Sequence, residues 1–355
     1  MNVTIPVMRY LALAAFVLFC GVSAEAATYN LSNGQYPPCS SNNWTVSGTT
    51  YTCNYGIVTL KAGDTVIAST QAVLWAESGF TIHASTIGSV GNGMVLRASY
   101  GDIKISGASN AKSVVYGSVI GANVDLGDTT VKGGVSGSGN AMMVRSSIEG
   151  NVEFSNKITL VDTTVNGFVS STNREITLTG GRIGGRVTSS GGSGVFIDGT
   201  AVEGNISSAN TILISSASIT GNVASNCCKI TVNSSSIVGD ISAPGNPIEL
   251  NDSDVVGTVS NTNRIYLNDS IVYGDVLAAT GWGSDNITIQ GKGNSRIFGQ
   301  CAYSGLSPTS LCSDSDINET LPLYLRFDEA SWRNATVQNS GTLNVTGVAS
   351  GAAET

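Results

Sequence analysis

A short motif, apolar-any-Gly-any-apolar, recurs along most of this 355-residue chain. Its glycines lie 16 to 19 residues apart, except for a last step of 25 residues. They are Gly117, Gly133, Gly150, Gly167, Gly185, Gly204, Gly221, Gly239, Gly257, Gly274 and Gly299. Glycine permits a bend or a positive φ that a side chain would oppose. A unit of this length cannot bury its own apolar face, so successive units must stack on one another.

Most units carry a second pattern upstream of the glycine, in which apolar and polar residues alternate, as in Ile158-Thr-Leu160 and Ile176-Thr-Leu178. Alternation rich in Val, Ile and Thr predicts strands with one face inward and the other outward. We therefore predict an all-β, single-stranded β-solenoid, a right-handed parallel β-helix with about 17–18 residues per coil that is capped at both ends.

The first 26 residues have the pattern of a signal peptide. Arg9 supplies a positive charge, residues 11–19 form an apolar core, and Ala24-Glu25-Ala26 offers a small-residue cleavage site. The apolar core is too short to span a bilayer as a helix. We expect export to the periplasm, outer surface or extracellular space, with no membrane span after cleavage; an uncleaved signal segment is the alternative.

The rest of the chain divides into three predicted segments. Residues 27–89 are expected to form an N-terminal cap, because an open solenoid end exposes strand edges. Residues 90–312 carry the repeats, with an outward loop expected at 280–285 around Trp282. Residues 313–355 lack the motif glycine and predict a linker followed by the truncated start of another domain, too short to fold alone.

Six cysteines follow the predicted cleavage site, and an even number in an exported chain favours disulfides. Two pairs each close a short loop near one end of the repeats: Cys39 with Cys53, and Cys301 with Cys312. Cys227 and Cys228 are adjacent, and either form a vicinal disulfide or remain two thiols. With no CxxC pairs and no nearby histidine, zinc is the weaker interpretation.

Two sets of polar residues recur at expected corners of the coil. The first is Asn156, Asn173, Asn210 and Asn263. Asparagine tolerates the left-handed conformation and forms side-chain ladders, so we interpret this set as structural rather than ligand-binding. The second is Asp128, Asp162, Asp252 and Asp269, a series that Ser216 and Ser234 interrupt. These are either solvated turn residues or, in the alternative of a polysaccharide lyase or hydrolase, catalytic or calcium-binding carboxylates.

Composition excludes several other functions. A net charge of -8 gives no electrostatic footprint for nucleic acid. His83 is the only histidine, and no GxSxG, Walker or convincing dinucleotide motif occurs. We expect no enzyme activity, no cofactor and no metal site. Tyr116, Tyr273 and Phe298 occupy an outward motif position, where stacking on sugars is an alternative to plain surface exposure.

Three further segments are distinctive: residues 96–105, the repeat ending at Ile297-Phe-Gly-Gln-Cys301 with a closing Cys312, and Tyr324-Leu-Arg-Phe-Asp-Glu-Ala-Ser-Trp332. Together they resemble the MshQ-type MSHA pilus biogenesis proteins, in which the first segment looks like the entry into the repeats. The last is similar to the start of that family's LamG-type, concanavalin-like domain. In that family a longer C-terminal region follows this segment, so the resemblance implies a truncated product. The repeat length also resembles the cytosolic, polymer-forming bactofilins, a likeness of fold rather than of role.

The MshQ resemblance implies a non-enzymatic structural or adhesion protein of a bacterial pilus or surface system. Its expected partners are pilus or other cell-surface proteins and surface glycans. The alternatives are a carbohydrate-binding or carbohydrate-active β-helix protein and a self-assembling, bactofilin-like polymer.

Overall fold

The computed structural model describes residues 25–278 and 289–303. Trp282, Cys312, the segment 313–355 and nearly all of the predicted signal peptide lie outside the described residues. Three sheets, here called A, B and C, contain 14, 13 and 15 strands. One short 3-10 helix, Leu31–Asn33, follows the first strand.

Strand bounds are given by sheet, with numbering in chain order. Sheet A consists of β1 Thr28–Asn30, β5 Thr65–Ile67, β8 Thr86–Ile87, β11 Ser113–Val115, β14 Thr129–Val131, β17 Ser147–Ile148, β20 Thr164–Val165, β23 Arg182–Ile183, β26 Ala201–Val202, β29 Ser218–Thr220, β32 Ser236–Val238, β35 Asp254–Val256, β38 Ile271–Val272 and β41 Arg296–Ile297. Sheet B consists of β4 Ile57–Leu60, β7 Gly79–His83, β10 Ile103–Ser106, β13 Val124–Gly127, β16 Ala141–Val144, β19 Ile158–Val161, β22 Ile176–Thr179, β25 Val195–Asp198, β28 Ile212–Ser215, β31 Ile230–Asn233, β34 Ile248–Asn251, β37 Ile265–Asn268 and β40 Ile289–Lys292. Sheet C consists of β2 Trp44–Ser47, β3 Thr50–Cys53, β6 Ala72–Ala76, β9 Met94–Ala98, β12 Val119–Gly121, β15 Val135–Gly137, β18 Val152–Phe154, β21 Val169–Ser171, β24 Val187–Ser189, β27 Ile206–Ser208, β30 Val223–Ser225, β33 Ile241–Ala243, β36 Val259–Asn261, β39 Val276–Ala278 and β42 Cys301–Tyr303.

Each repeat forms one coil with a strand in each sheet, in the order B, A, C. Strand β19 pairs in parallel with β22 of the next coil, with Ile158 opposite Ile176 and Leu160 opposite Leu178. Except for β2 with β3, neighbouring strands pair in parallel along all three sheets. The predicted β-solenoid is confirmed. With about 4.8 Å between strands, the 14 strands of sheet A span roughly 60 Å.

The core is a slender column of aliphatic side chains between the three sheets. In one coil Ile158, Leu160, Val165 and Val169 are all at most 1% exposed. Burying such a side chain contributes about 1.5–3 kcal/mol, so a long stack of coils gains enough apolar burial to offset the ordering of many short strands.

The motif glycine forms the corner between sheets A and C. Its two apolar neighbours belong to different sheets, as Val165 of β20 and Val169 of β21 flank Gly167. Successive glycines stack so closely that a Cβ at Gly150 would lie 2.8 Å from the carbonyl carbon of Gly133. Gly221 also has a φ of 158°, and a Cβ there would lie 2.6 Å from the carbonyl carbon of Gly204. The glycines therefore allow close contact of backbones between coils, in addition to a bend.

Residues 27–89 contribute the first strands of the same three sheets. Strand β1 pairs with β5, and β4 pairs with β7. The sheets thus continue across the boundary predicted at residue 89. The start of sheet B is covered by residues 38–40, where Ser40 N–H donates to Ile57 O at 3.0 Å. The start of sheet C is the antiparallel hairpin β2–β3, so this end of the rod presents an interrupted edge.

Candidate functional surfaces

The interior of the described coils is filled by side chains, so chemistry or binding must use the outer faces and corners. The corner between sheets B and A carries the aspartate series expected from the sequence. Asp128, Asp162, Asp252 and Asp269 all have φ of 47° or 48°. Arg145, Ser216 and Ser234 have the same conformation in other coils. This corner requires a left-handed residue, a conformation that Asp tolerates better than most side chains.

Several of these carboxylates are engaged within the rod. Asp128 accepts two hydrogen bonds from Arg145, at 2.9 Å from Nε and 2.6 Å from Nη2. The hydrogen bond from Arg145 holds the pKa of Asp128 below its ordinary value. Asp269 Oδ1 accepts from the backbone N–H of Asn294 at 2.9 Å. These contacts join one coil to the next and support the turn-residue interpretation.

Asp252 and Asp254 are the two carboxylates that share one surface cavity. The cavity has a volume of about 410 Å³ and is lined otherwise by serines and one alanine, which are Ser216, Ala217, Ser218, Ser234, Ser235 and Ser236. Burial, and then the charge of Asp252, raise the pKa of Asp254. Ser234 Oγ lies 3.3 Å from Asp252 Oδ2. Among the described residues, no group of three or more His, Cys, Asp and Glu side chains could hold a metal ion.

A ladder of buried hydroxyls, which the sequence analysis did not identify, lies one residue after the left-handed corner in most coils and two residues after Gly293 in the last described coil. Its members are Thr129, Ser146, Thr163, Thr200, Ser235, Ser253, Ser270 and Ser295. The Oγ of Ser146, for example, accepts from the backbone N–H of Thr129 at 3.2 Å and donates to Val144 O at 2.9 Å. Recurring Asp-Thr and Asp-Ser pairs are the sequence signal that could have indicated this ladder.

The corner between sheets C and B carries the predicted asparagines. The side-chain amides of Asn210 and Asn263 donate to the carbonyls of Gly192 and Gly245 at 2.7 and 2.9 Å, each in the preceding coil. Asn156 makes the same bond to Ser138 O at 3.4 Å. A second amide series lies on the outer face of sheet B, where Asn251 Nδ2 donates to Asn233 Oδ1 and Asn268 Nδ2 to Asn251 Oδ1, at 2.8 and 2.6 Å. These contacts support the structural interpretation of the asparagines.

A groove at this same corner contains one charged side chain, Arg174, that forms no ion pair among the described residues. It has a volume of about 410 Å³ and is lined by Asn140, Asn156, Lys157, Arg174, Glu175 and Ser193. Lys157 and Glu175 form an ion pair at 2.6 Å. Arg174 is exposed and has no ion pair within the described part of the chain. The groove therefore has a net positive charge on an acidic protein, and could accept an anionic group.

Two of the three outward aromatic residues contact each other. Tyr273 and Phe298 stack on each other, with centroids 5.4 Å apart and planes at 6°. Each ring thus covers one face of the other, which leaves less ring surface for a ligand. Tyr116 lies near the opposite end and lines a separate cavity of about 480 Å³ with Gln71, Ser89, Val90, Gly91, Gly93, Gly117 and Lys132.

The described cysteines are disulfide-bonded, and the single histidine lies on the surface. Cys39 and Cys53 form the predicted disulfide, with Cα atoms 5.9 Å apart. Cys227 and Cys228 form a vicinal disulfide rather than two free thiols. Cys301 is disulfide-bonded, and its predicted partner Cys312 lies outside the described residues. His83 is exposed, and its Nδ1 lies 2.7 Å from Ser106 Oγ.

No protein-family model matches this chain, and no curated protein or solved structure matches it. Among the described residues no helix is long and apolar enough to cross a membrane. Proposals about function therefore depend on the surfaces above and on the resemblance of the quoted sequence segments.

Proposed function

We propose that this chain is an exported, non-enzymatic structural or adhesion protein of a bacterial pilus or surface system, and that it acts through the outer faces of its β-solenoid. The observation that carries the proposal is the continuous in-register stacking of all three sheets from β1 to β42. Such a scaffold presents long, regular surfaces rather than one enclosed pocket.

The state of the polar groups also supports a non-enzymatic role. Acid and base catalysis needs carboxylates that are free to exchange protons with a substrate. Asp128 is held by Arg145, and Asp269 by the backbone of the next coil. Ion pairs such as Lys132 with Glu149 and Arg182 with Glu203 likewise join neighbouring coils. Polar residues of these kinds reinforce the rod.

Export and partner binding are tested together in cells that produce the protein. We expect a mature N-terminus at Ala27 by mass spectrometry, recovery of the protein outside the cytoplasm, and cross-links to pilus or other surface proteins. A protein that keeps residues 1–26 and remains in the cytoplasm would contradict the proposal. A protein that binds neither surface proteins nor any member of an array of surface glycans would also contradict it.

One substitution by arginine on the outer face of each sheet would identify the binding face. Thr164→Arg, Thr177→Arg and Ser207→Arg place a charge on the outer faces of sheets A, B and C, at half-buried positions that alternate with core residues. We expect one variant to lose partner binding while all three keep the β circular dichroism spectrum. Equal binding by all three variants would argue against a face of the solenoid as the interface.

Carbohydrate binding is a second candidate, favoured by the groove around Arg174. Its guanidinium group, beside amides and the Ser193 hydroxyl, suits a glycan that bears carboxylate groups. The test is binding of acidic oligosaccharides to Arg174→Ala, with Arg182→Ala as a charge-matched control, because Arg182 is already paired with Glu203. Loss of oligosaccharide binding in Arg174→Ala alone supports carbohydrate binding. Unchanged binding in both variants contradicts it.

A further inference from the structure

The vicinal disulfide of Cys227 and Cys228 lies at the corner between β30 and β31. Cys227 is exposed and Cys228 is half-buried. In the other described disulfide Cys53 is fully buried and Cys39 half-buried. A dissolved thiol can therefore reach Cys227 more easily than it can reach the Cys39–Cys53 pair.

The fold does not need cysteines at this corner. The same four-residue connection between sheets C and B is made by Thr-Asn-Arg-Glu at 172–175 and by Pro-Gly-Asn-Pro at 244–247. A disulfide stabilises a fold chiefly by closing a loop in the unfolded chain, and this effect grows with loop length. The sequence separation is 1 for Cys227–Cys228 and 14 for Cys39–Cys53, so only the second acts as a structural cross-link.

The backbone around the pair is held independently of the sulfur atoms. Cys228 N–H donates to Ser225 Oγ at 2.9 Å, and Asn246 Nδ2 donates to Cys227 O. The flanking Val223 and Ile230 are fully buried in the core. Strands β30 and β31 each pair with a neighbour on both sides. Opening the S–S bond would therefore leave the coil in place.

We propose that Cys227–Cys228 is a reversible thiol–disulfide exchange site on the rigid rod, with thiolates of small molecules or of dithiol proteins as its reactants. The incoming thiolate attacks Cys227 Sγ, the S–S bond breaks, and Cys228 leaves as a thiolate that takes a proton from water. A second thiol of the reductant then displaces Cys227 as a thiolate, which is protonated in turn. The chain gains two thiols, and the reductant is oxidised to a disulfide.

The mature chain in glutathione redox buffers tests this site. Free thiols are trapped by alkylation and located by peptide mass spectrometry, while circular dichroism monitors the fold. We expect Cys227–Cys228 to be reduced before Cys39–Cys53, because a dissolved thiol reaches the exposed Cys227 more easily than the fully buried Cys53. The β spectrum should be unchanged when this first pair is reduced.

Two double variants serve as controls. Cys39→Ser with Cys53→Ser should retain the early alkylation, and Cys227→Ser with Cys228→Ser should fold normally and lose it. Parallel reactions with glutathione and with a dithiol oxidoreductase separate the two sources of thiolate, and reaction with either supports the site. Alkylation of Cys227 and Cys228 before any reductant is added would overturn the proposal. Earlier reduction of Cys39–Cys53, or loss of the β spectrum on reduction of the first pair, would also overturn it.

Discussion

The backbone N–H of Ser235 donates a hydrogen bond to Ser253 Oγ, 3.2 Å away in the next coil, and both residues are buried. The same hydroxyl donates to Asn251 O at 2.7 Å. At this corner the strands change direction, and the hydroxyl supplies an acceptor for a buried N–H. A buried N–H without an acceptor would lower the free energy of unfolding substantially.

Ser253→Ala should therefore destabilise the rod. We expect the free energy of unfolding to fall by about 1–3 kcal/mol, because the N–H of Ser235 loses its acceptor without regaining water. Urea denaturation measures the change. The matched control is Ser242→Ala on the outer face of sheet C, where we expect a change within about 0.5 kcal/mol. Equal effects in the two variants would show that the buried hydroxyl has no special role.

Asp252→Val should destabilise the fold through the backbone. Asp252 has a φ of 48°, and the left-handed region costs an L-residue about 1–2 kcal/mol, with β-branched side chains the least tolerant. We expect Asp252→Gly to be neutral or stabilising, since Gly180 and Gly199 have positive φ at the equivalent corner of other coils. Thermal unfolding of both variants tests this, and a loss of stability in Asp252→Gly as large as in Asp252→Val would refute it.

The ion pair of Asp128 and Arg145 should make stability depend on pH in acid. The pKa of Asp128 is lowered in the folded protein, so the folded state binds its proton less readily than the unfolded state does. By linkage, the stabilisation is fully present above the unfolded value of about 3.9 and is lost as pH falls through the lower folded value. Arg145→Ala should raise the pKa of Asp128, as measured by NMR titration. Lys157→Ala should leave that pKa unchanged.

Ile214→Ala and Leu213→Ala are a matched pair on one strand of sheet B. Ile214 is fully buried, whereas Leu213 is half-buried on the outer face. We expect Ile214→Ala to lower the free energy of unfolding by about 2–5 kcal/mol through lost burial and a cavity. Leu213→Ala should have a much smaller effect. Hydrogen exchange should increase most in the coils that contact residue 214. A larger loss of stability in Leu213→Ala than in Ile214→Ala would contradict the assignment of Ile214 to the core.

The coil itself was predictable because its signals are local and repeated. Motif positions such as Val165 and Val169 were expected to point inward, and they are buried. Glycine spacing indicated equivalent corners, and Gly150 and Gly167 do stack in the same column. Several features were not predictable from one repeat. The buried hydroxyl at Ser253 looks like any polar turn residue until the N–H of Ser235 is placed above it.

Sequence alone determined the period, the identity of the inward side chains and the class of fold, because period-two alternation and glycine spacing are imposed within each coil. Tertiary structure alone decided how coils contact one another. It placed the aspartate series at a left-handed corner, stacked Tyr273 on Phe298, and extended the sheets through residues 27–89. These features depend on pairs of residues about 17–37 positions apart, and such pairs meet only when the strand register between coils is established.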